Sequence, residues 1–367
     1  MIVTLIISVL IISAIAAALA LLLVIAEFFF ANYGDCTITI NNEKKITIKG
    51  GTSLLSTLSS QKIFIPSACG GKGTCGLCKL KVLDGAGPLL PTEEPFLNID
   101  EINNNVRMAC QVKVRQDIKI EIPEELFNIK EYQCKCSEIR DLTHDIKLFR
   151  FELIEPPEVN FVAGQYMQLL APAYEKSNED VYRAYSIASN AADKKILEFI
   201  IRLVPGGICT TYCFEYLKAG DSAKMNGPYG NFRLSDTDSE MIWIAGGSGM
   251  APFVSILNHL KNTNNQRKVT YYFGANKVKE LFFLDEMKQF EKDLPNFKFV
   301  PVVFKPDEDE KWNQDTGLVT EAVSKRNEKL TDIEGYLCGS PGMIDASIKV
   351  LTQLGMQEEK IYYDKFA

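Results

Sequence analysis

Four cysteines fall within one stretch of the chain: Cys69, Cys75 and Cys78 in CGGKGTCGLC, and Cys110 in RMACQ. Four thiolates are what a ferredoxin 2Fe-2S cluster requires, and the plant-type arrangement draws three from a tight C-x4-C-x2-C loop and one from farther along. Here the first gap is five residues, a close variant of that loop. Gly70, Gly71, Gly73 and Gly76 serve the same purpose, because a loop wrapped round a cluster needs positive φ angles and backbone amides close to sulfur. A structural zinc site is the alternative. It draws four cysteines as two short pairs on separate knuckles, which the lone Cys110 fits poorly. The chemistry expected is the movement of single electrons.

Three further constellations carry chemistry. In RAYSIAS, Arg183 and Tyr185 share one face of an expected strand, with Ser186 next in line. An arginine suits a pyrophosphate, an aromatic ring suits stacking on a flavin, and a hydroxyl suits a flavin nitrogen. An exposed arginine and a core tyrosine would explain the same tetrapeptide, but PGGICTTY follows, where Gly206 and Gly207 precede an expected helix start with free amides for a phosphate. In IAGGSGMAPF a strand runs into Gly246, Gly247 and Gly249 and then a helix, a shorter turn than G-x-G-x-x-G but at the strand end where a nucleotide phosphate binds. GYLCGSPGM repeats that geometry, and Cys338 there reads equally as a residue facing the crevice or as a small packing residue.

The elements that must position these residues can be read in order. Met1 to Ala26 carries no charged side chain, and as a helix it would extend about 39 Å, enough to cross a bilayer. Phe28, Phe29, Phe30 and Tyr33 follow as an aromatic edge for the interface. A cleaved signal peptide would need a basic leader and a shorter apolar core, so a retained anchor is expected. CTITINNEKKITIKG reads as two alternating strands joined at Asn-Asn-Glu, Ser53 to Ser59 as a short helix, and KLKVLDG and QDIKIEIP as further strands. Past Phe127 the pattern becomes short β runs punctuated by proline and glycine, as in an antiparallel barrel. From Met241, apolar strands alternate with helical stretches, as in a parallel α/β sheet, and KPDEDEKWNQD reads as a solvated loop. The fold class is therefore multidomain α+β and α/β. The expected boundaries are 1–32 for a transmembrane anchor, 33–128 for a 2Fe-2S domain, 129–236 for a flavin barrel and 237–367 for a nucleotide-binding domain.

Composition agrees with this class. The 367 residues suffice for two to three domains with their own cores. With 47 acidic against 40 basic residues, net charge −7 and no basic block, nucleic acid is not an expected partner. Ten cysteines, four of them claimed by the loop and the rest scattered, indicate a reducing setting rather than a disulfide framework. Cys134 and Cys136 share one strand face, too few for a structural zinc, and read as free thiols. His144 and His259, the only histidines, read as turn or surface residues.

In this order, CGGKGTCGLC, RMACQVKV, RAYSIAS, GGSGMAP and YLCGSPGM resemble the motifs of the NADH-oxidising (F) subunits of the sodium-translocating NADH:quinone oxidoreductases. The resemblance covers nearly the whole chain. It implies an amino-terminal membrane helix, a β-grasp 2Fe-2S ferredoxin domain, an antiparallel FAD-binding β-barrel and a ferredoxin-reductase-like NAD-binding domain. It assigns Cys69, Cys75, Cys78 and Cys110 to the cluster, and Arg183, Tyr185 and Ser186 to FAD. Gly207 and Thr210 would cradle the FAD pyrophosphate and Gly247 and Gly249 approach NADH. Cys338 would lie near the nicotinamide and Phe366 over the flavin ring, with Ser186 and Cys338 as the catalytic pair. Two departures are Ser248, where the resemblance leads one to expect alanine or threonine, and the terminal DKFA.

The activity so implied is hydride transfer from NADH to FAD, then one-electron transfer through the cluster to a membrane partner and on toward ubiquinone. The partners are the other membrane subunits of a quinone reductase complex. Sodium transport would belong to those subunits, since the single apolar segment has no internal charge. The location implied is the inner membrane, single-pass, with the soluble domains cytoplasmic where NADH is. Two rival functions use the same domains: a membrane-tethered NADH-dependent reductase of a monooxygenase, and a non-enzymatic membrane redox sensor.

Overall fold

The computed structural model describes residues 2–30, 33–127, 129–307 and 311–366. The chain divides into two compact units, Met1–Ile65 with Gly71–Asn128, and Pro66–Gly70 with Ile129–Ala367. Its strands form three separate sheets.

The first unit begins with α1 (Ile2–Phe30). Its described side chains, which lie between Ile6 and Leu22, are all exposed, among them Leu10, Ile12 and Leu22. Among the described residues no helix is long and apolar enough to cross a membrane. The side chains of Phe28, Phe29 and Phe30, expected at a membrane interface, lie outside the described residues. Tyr33 does not join them: its ring packs on the core of the sheet that follows, with the Arg115 guanidinium 5.8 Å from the ring centroid.

That sheet is built from β1 (Asp35–Ile40) and β2 (Lys44–Lys49), then, after α2 (Leu54–Ser60), from β3 (Lys79–Asp84). Next come α3 (Ile99–Asn103), β4 (Val106–Met108), β5 (Ile118–Glu121) and α4 (Glu124–Phe127). The strand order is β2-β1-β5-β3-β4, with β1 parallel to β5 and every other pair antiparallel. The β1–β2 turn forms where expected, with Asn41 and Asn42 both at positive φ as a tight hairpin demands. Alternation in CTITI turns Cys36, Ile38 and Ile40 into the core. Ser53 caps α2 by accepting the Ser56 N–H, which aims Leu54 and Leu58 at the same core.

The second unit opens with a six-stranded antiparallel sheet. Its strands are β6 (Lys130–Asp141), β7 (Ile146–Glu155), β8 (Tyr166–Ala171), β9 (Val181–Ser186), β10 (Ile196–Arg202) and, after α5 (Ile208–Thr211), β11 (Ser222–Tyr229). The order β10-β7-β6-β11-β8-β9 closes on itself through the Ile187–Phe199 bridge and the Ala188 N–H donating to the Glu198 carbonyl at 2.8 Å. This is the expected barrel. Cys134 and Cys136 line its interior with no exposure, and burial raises their thiols to about 12 and about 11, as suits free packing residues.

The rest of the unit alternates strand and helix: β12 (Met241–Gly246), α6 (Ala251–Asn262), β13 (Val269–Ala275), α7 (Leu284–Asp293), β14 (Phe297–Val303), β15 (Asp315–Thr316), α8 (Val319–Arg326), β16 (Glu334–Gly339), α9 (Pro341–Gln353) and β17 (Ile361–Lys365). The sheet is wholly parallel in the order β15-β14-β13-β12-β16-β17, so the chain winds outward from β12, then returns to lay β16 on the other side of β12. That reversal opens a crevice at the carboxyl ends of β12 and β16, the usual place for a nucleotide in such sheets. Both sheet faces are apolar, Trp243, Tyr271 and Tyr336 on one and Ile242, Ile244 and Leu337 on the other, which is why these strands read as continuous hydrophobic runs. At the opposite, amino-terminal end of the strands Arg267 and Glu334 form a buried ion pair at 2.5 Å, joined by the hydroxyls of Ser235, Thr237 and Tyr336. The KPDEDEKWNQD segment is not simply solvated. Asp307 pairs with Lys277, while 308–310 lie outside the described residues.

Candidate functional site

The cysteine loop hangs between α2 and β3 without regular structure. Gly73 has φ +75°, and a Cβ there would lie 2.4 Å from Gln111 Nε2; Gly76 has φ +67°, and a Cβ would lie 2.8 Å from the Phe96 ring. Only glycine fits both, so the backbone can close on what the loop encloses. Cys78 and Cys110 are buried and their side chains hydrogen-bond to each other, with Cys75 near enough to act on the Cys78 thiol electrostatically. The contact with Cys110, reinforced by burial, pushes the Cys78 thiol far above its ordinary range. Cys110 is held from behind. The neighbouring Arg107 is bound by the buried Glu93 carboxylate and by the carbonyls of Gly87 and Pro88, and Glu93 also accepts the Met108 N–H at 2.9 Å. Cys69 is buried as well, and belongs to the short segment Pro66–Gly70 that groups with the second unit.

None of the ten cysteines is joined in a disulfide. Among the described residues no three Cys, His, Asp or Glu side chains converge as one metal ion requires. The Cys78–Cys110 contact and the glycine-lined loop fit a two-iron cluster held by thiolates.

In the second unit, β9 carries Arg183, Tyr185 and Ser186 as expected. Tyr185 packs against the barrel core, and burial raises its hydroxyl well above the ordinary range. The Arg183 guanidinium donates to the Tyr182 carbonyl at 2.8 Å. After β10, Gly206 takes φ +72° and Gly207 caps α5. The Thr210 hydroxyl bonds the Val204 backbone at 3.2 Å, and a Cβ on Gly207 would meet it at 2.7 Å. Thr210 thus shapes the glycine turn from beneath rather than presenting its hydroxyl outward.

At the nucleotide crevice, β12 runs into Gly247, at φ +56°, and then Gly249 before α6 begins. A Cβ on Gly249 would lie 2.2 Å from the Cys338 carbonyl oxygen, so this glycine lets the turn press against the end of β16. Cys338 is fully buried, its thiol raised well above its ordinary range by burial and by Asp364, its register partner on β17. Asp364 accepts a hydrogen bond from Ser186 Oγ at 3.1 Å. Burial lifts its carboxyl above the ordinary value, against the opposing effect of that hydrogen bond. Phe366 donates its N–H to the Gly339 carbonyl at 2.9 Å and lays its ring on the same core.

Ser186 from the barrel, and Cys338 and Asp364 from the parallel sheet, therefore converge. Sequence reasoning named the first two and missed Asp364, whose one signal was the alternation of the terminal IYYDK strand. It also missed Arg202, which pairs with Asp145 at 2.7 Å and brings Nη1 within 3.5 Å of where a Cβ on Gly247 would sit, a cation beside the expected phosphate turn. His144 is exposed, and His259 lies on α6 away from these groups.

Comparison with known proteins agrees with this layout. The 2Fe-2S iron-sulfur cluster binding domain family matches residues 38–115, the oxidoreductase FAD-binding domain family 133–234, and the oxidoreductase NAD-binding domain family 243–349. Curated relatives include the F subunit of the Na(+)-translocating NADH-quinone reductase of Neisseria gonorrhoeae, 36% identical over 96% of each chain. That of Serratia proteamaculans is 34% identical over 96% of this chain and 97% of the relative. Among solved structures, the Amycolatopsis cytochrome P450 reductase GcoB superposes with a TM-score of 0.72 at 28% identity, covering 90% of this chain and 98% of that one. The ferredoxin reductase in carbazole 1,9a-dioxygenase gives 0.69 at 24% identity, covering 91% and 99%, and so shares the fold.

The close approach at Gly249 can be tested against a glycine with free space. Gly249→Ala should raise the KM for NADH and cost about 1–3 kcal/mol of stability, the usual penalty for overpacking. Gly342→Ala, at the start of α9 with nothing within 4 Å, should be neutral or stabilising by up to about 1 kcal/mol. Thermal unfolding and NADH titration of both variants check this, and equal effects would contradict it.

Proposed function

The chain belongs to the family of F subunits of the Na(+)-translocating NADH-quinone reductases, and from that premise we propose how its residues share the work. It is an oxidoreductase component of a multisubunit, membrane-associated complex, carrying electrons from NADH to FAD and on to a 2Fe-2S cluster. FAD accepts two electrons together as hydride and releases them singly, which matches it to a cluster that takes one at a time.

Cys69, Cys75, Cys78 and Cys110 hold the cluster. Arg183 pairs with the FAD pyrophosphate, which the Gly206–Gly207 turn, braced by Thr210, also receives. Tyr185 stacks on the flavin, and Ser186 turns its one hydroxyl proton from Asp364 to a flavin nitrogen when FAD binds. Gly247 and Gly249 let the NADH phosphates approach the backbone. Cys338 lies beside the nicotinamide, and Phe366 covers the flavin ring. The observation that carries this reading is the hydrogen bond from Ser186 to Asp364 beside buried Cys338, a partly buried polar group free of any histidine. Hydride transfer calls for alignment and exclusion of water more than for a base, and these residues supply both.

The α1 helix serves as a single-pass anchor in the inner membrane, leaving residues 33–367 in the cytoplasm and handing electrons to a membrane partner toward quinone. Its support is the run of exposed apolar side chains from Ile6 to Leu22, which calls for an apolar environment. A soluble monooxygenase as acceptor would leave that surface without a purpose.

Two experiments test the assignment. Cys75→Ala should abolish the visible and paramagnetic signals of the cluster while FAD stays bound. That variant should still pass NADH electrons to an artificial acceptor that contacts flavin, yet fail to reduce quinone in the assembled complex. A protein that binds zinc and no iron would defeat the cluster assignment. For topology, the ferredoxin domain should resist protease in intact cells and be digested in inverted vesicles; the reverse would place the NADH site where no NADH exists.

A further inference from the structure

The second strand of the parallel sheet, β13, ends in a cluster of charge that the hydride chemistry does not use. Its carboxyl end continues as Asn276-Lys277-Val278-Lys279, and the loop leaving β14 is stitched to it by two backbone hydrogen bonds. Phe304 N–H donates to the Ala275 carbonyl at 2.8 Å, and Lys305 N–H to the Asn276 carbonyl at 3.1 Å. Glu280 fixes the turn by accepting from both the backbone and side-chain nitrogens of Asn276, at 3.0 and 3.2 Å. The two loops together bring three lysines round one carboxylate: Asp307 pairs directly with Lys277, and Lys279 and Lys305 act on it from close by. Those lysines, Lys277 first, hold the Asp307 carboxyl below its ordinary value, so it is ionised at neutral pH.

In a fold of this topology the adenosine ribose lies over the end of the second strand, where an acid takes a free 2′-hydroxyl or a cation takes a 2′-phosphate. Lys277, Lys279 and Lys305 would by themselves suit the phosphate, and the sequence would then read as favouring NADPH. We propose that Asp307 is a built-in anion that occupies this lysine cluster and so selects against a nucleotide 2′-phosphate, setting the preference for NADH. The inference rests on NADH binding across the end of β12. The carboxylate engages Lys277, offsets one of the three lysine charges that a 2′-phosphate would draw on and repels the phosphate itself, whereas a 2′-hydroxyl meets neither obstacle.

The test uses the full chain with Asp307→Asn, which keeps the side-chain shape and removes the charge. Steady-state rates with NADH and NADPH are measured with an artificial acceptor. Competition by 2′,5′-ADP and by 5′-AMP reports nucleotide binding without turnover. The ratio of kcat/KM for NADPH to that for NADH should rise about three- to fivefold, the size of one partly exposed charge interaction. Binding of 2′,5′-ADP relative to 5′-AMP should tighten to a similar degree. Adding Lys277→Ala to Asp307→Asn should reverse much of the gain. If the unmodified chain oxidises NADH and the ratio in Asp307→Asn stays within twofold, with no tightening of 2′,5′-ADP, the role of Asp307 is overturned while the nucleotide site stands. A chain that neither oxidises NADH nor binds 5′-AMP overturns both.

Discussion

Thiols gathered in a buried loop cannot all ionise on their own. Cys78 and Cys110 meet inside the first unit with Cys75 nearby, and each thiolate formed there would raise the cost of the next. Only a positively charged group resolves that conflict. Iron would do so by binding the thiolates themselves, which would make the loop a site whose stable state includes its cluster. Much of the ferredoxin sheet can be seen as support for this arrangement. β3 begins just past Cys78, β4 ends just before Cys110, and the buried Arg107–Glu93 pair pins the second of these. Breaking that pair would leave a charge stranded in the core, so the position of Cys110 is enforced by electrostatics as well as packing.

The second unit meets a different demand. Hydride transfer requires two rings to be held face to face away from water, and it asks little of acid–base groups. The residues at the crevice fit that demand: a fully buried thiol, a serine bonded to a partly buried carboxylate, and a glycine turn pressed against the neighbouring strand. Because Ser186 belongs to the barrel and Asp364 to the parallel sheet, their hydrogen bond also fixes one fold against the other within the unit.

Local chemistry was legible in the sequence, and long-range pairing was not. The Asn41–Asn42 hairpin, the short helix that starts at Ser53 and the change from barrel to parallel sheet near Met241 each depend on residues close together in the chain. The structure places each element where those signals put it. Asp364 escaped notice because its partner is Ser186, 178 residues away. Asp307 read as part of a solvated acidic loop because the lysines that hold it, Lys277 and Lys279, lie on another loop. Tyr33 followed three phenylalanines and was grouped with them, yet the core beside β1 claims its ring. In each case the missing information was which loop ends the sheet brings together, and no periodicity encodes that.

The order of electron flow is the centre of this account, and rapid mixing of the purified, cluster-containing chain with NADH tests it directly. Absorbance of the oxidised flavin should fall first, and reduction of the cluster, followed by its paramagnetic signal in freeze-quenched samples, should appear in a later phase. A cluster reduced before the flavin, or one that stays oxidised while the flavin is fully reduced and its assembly is intact, would contradict it.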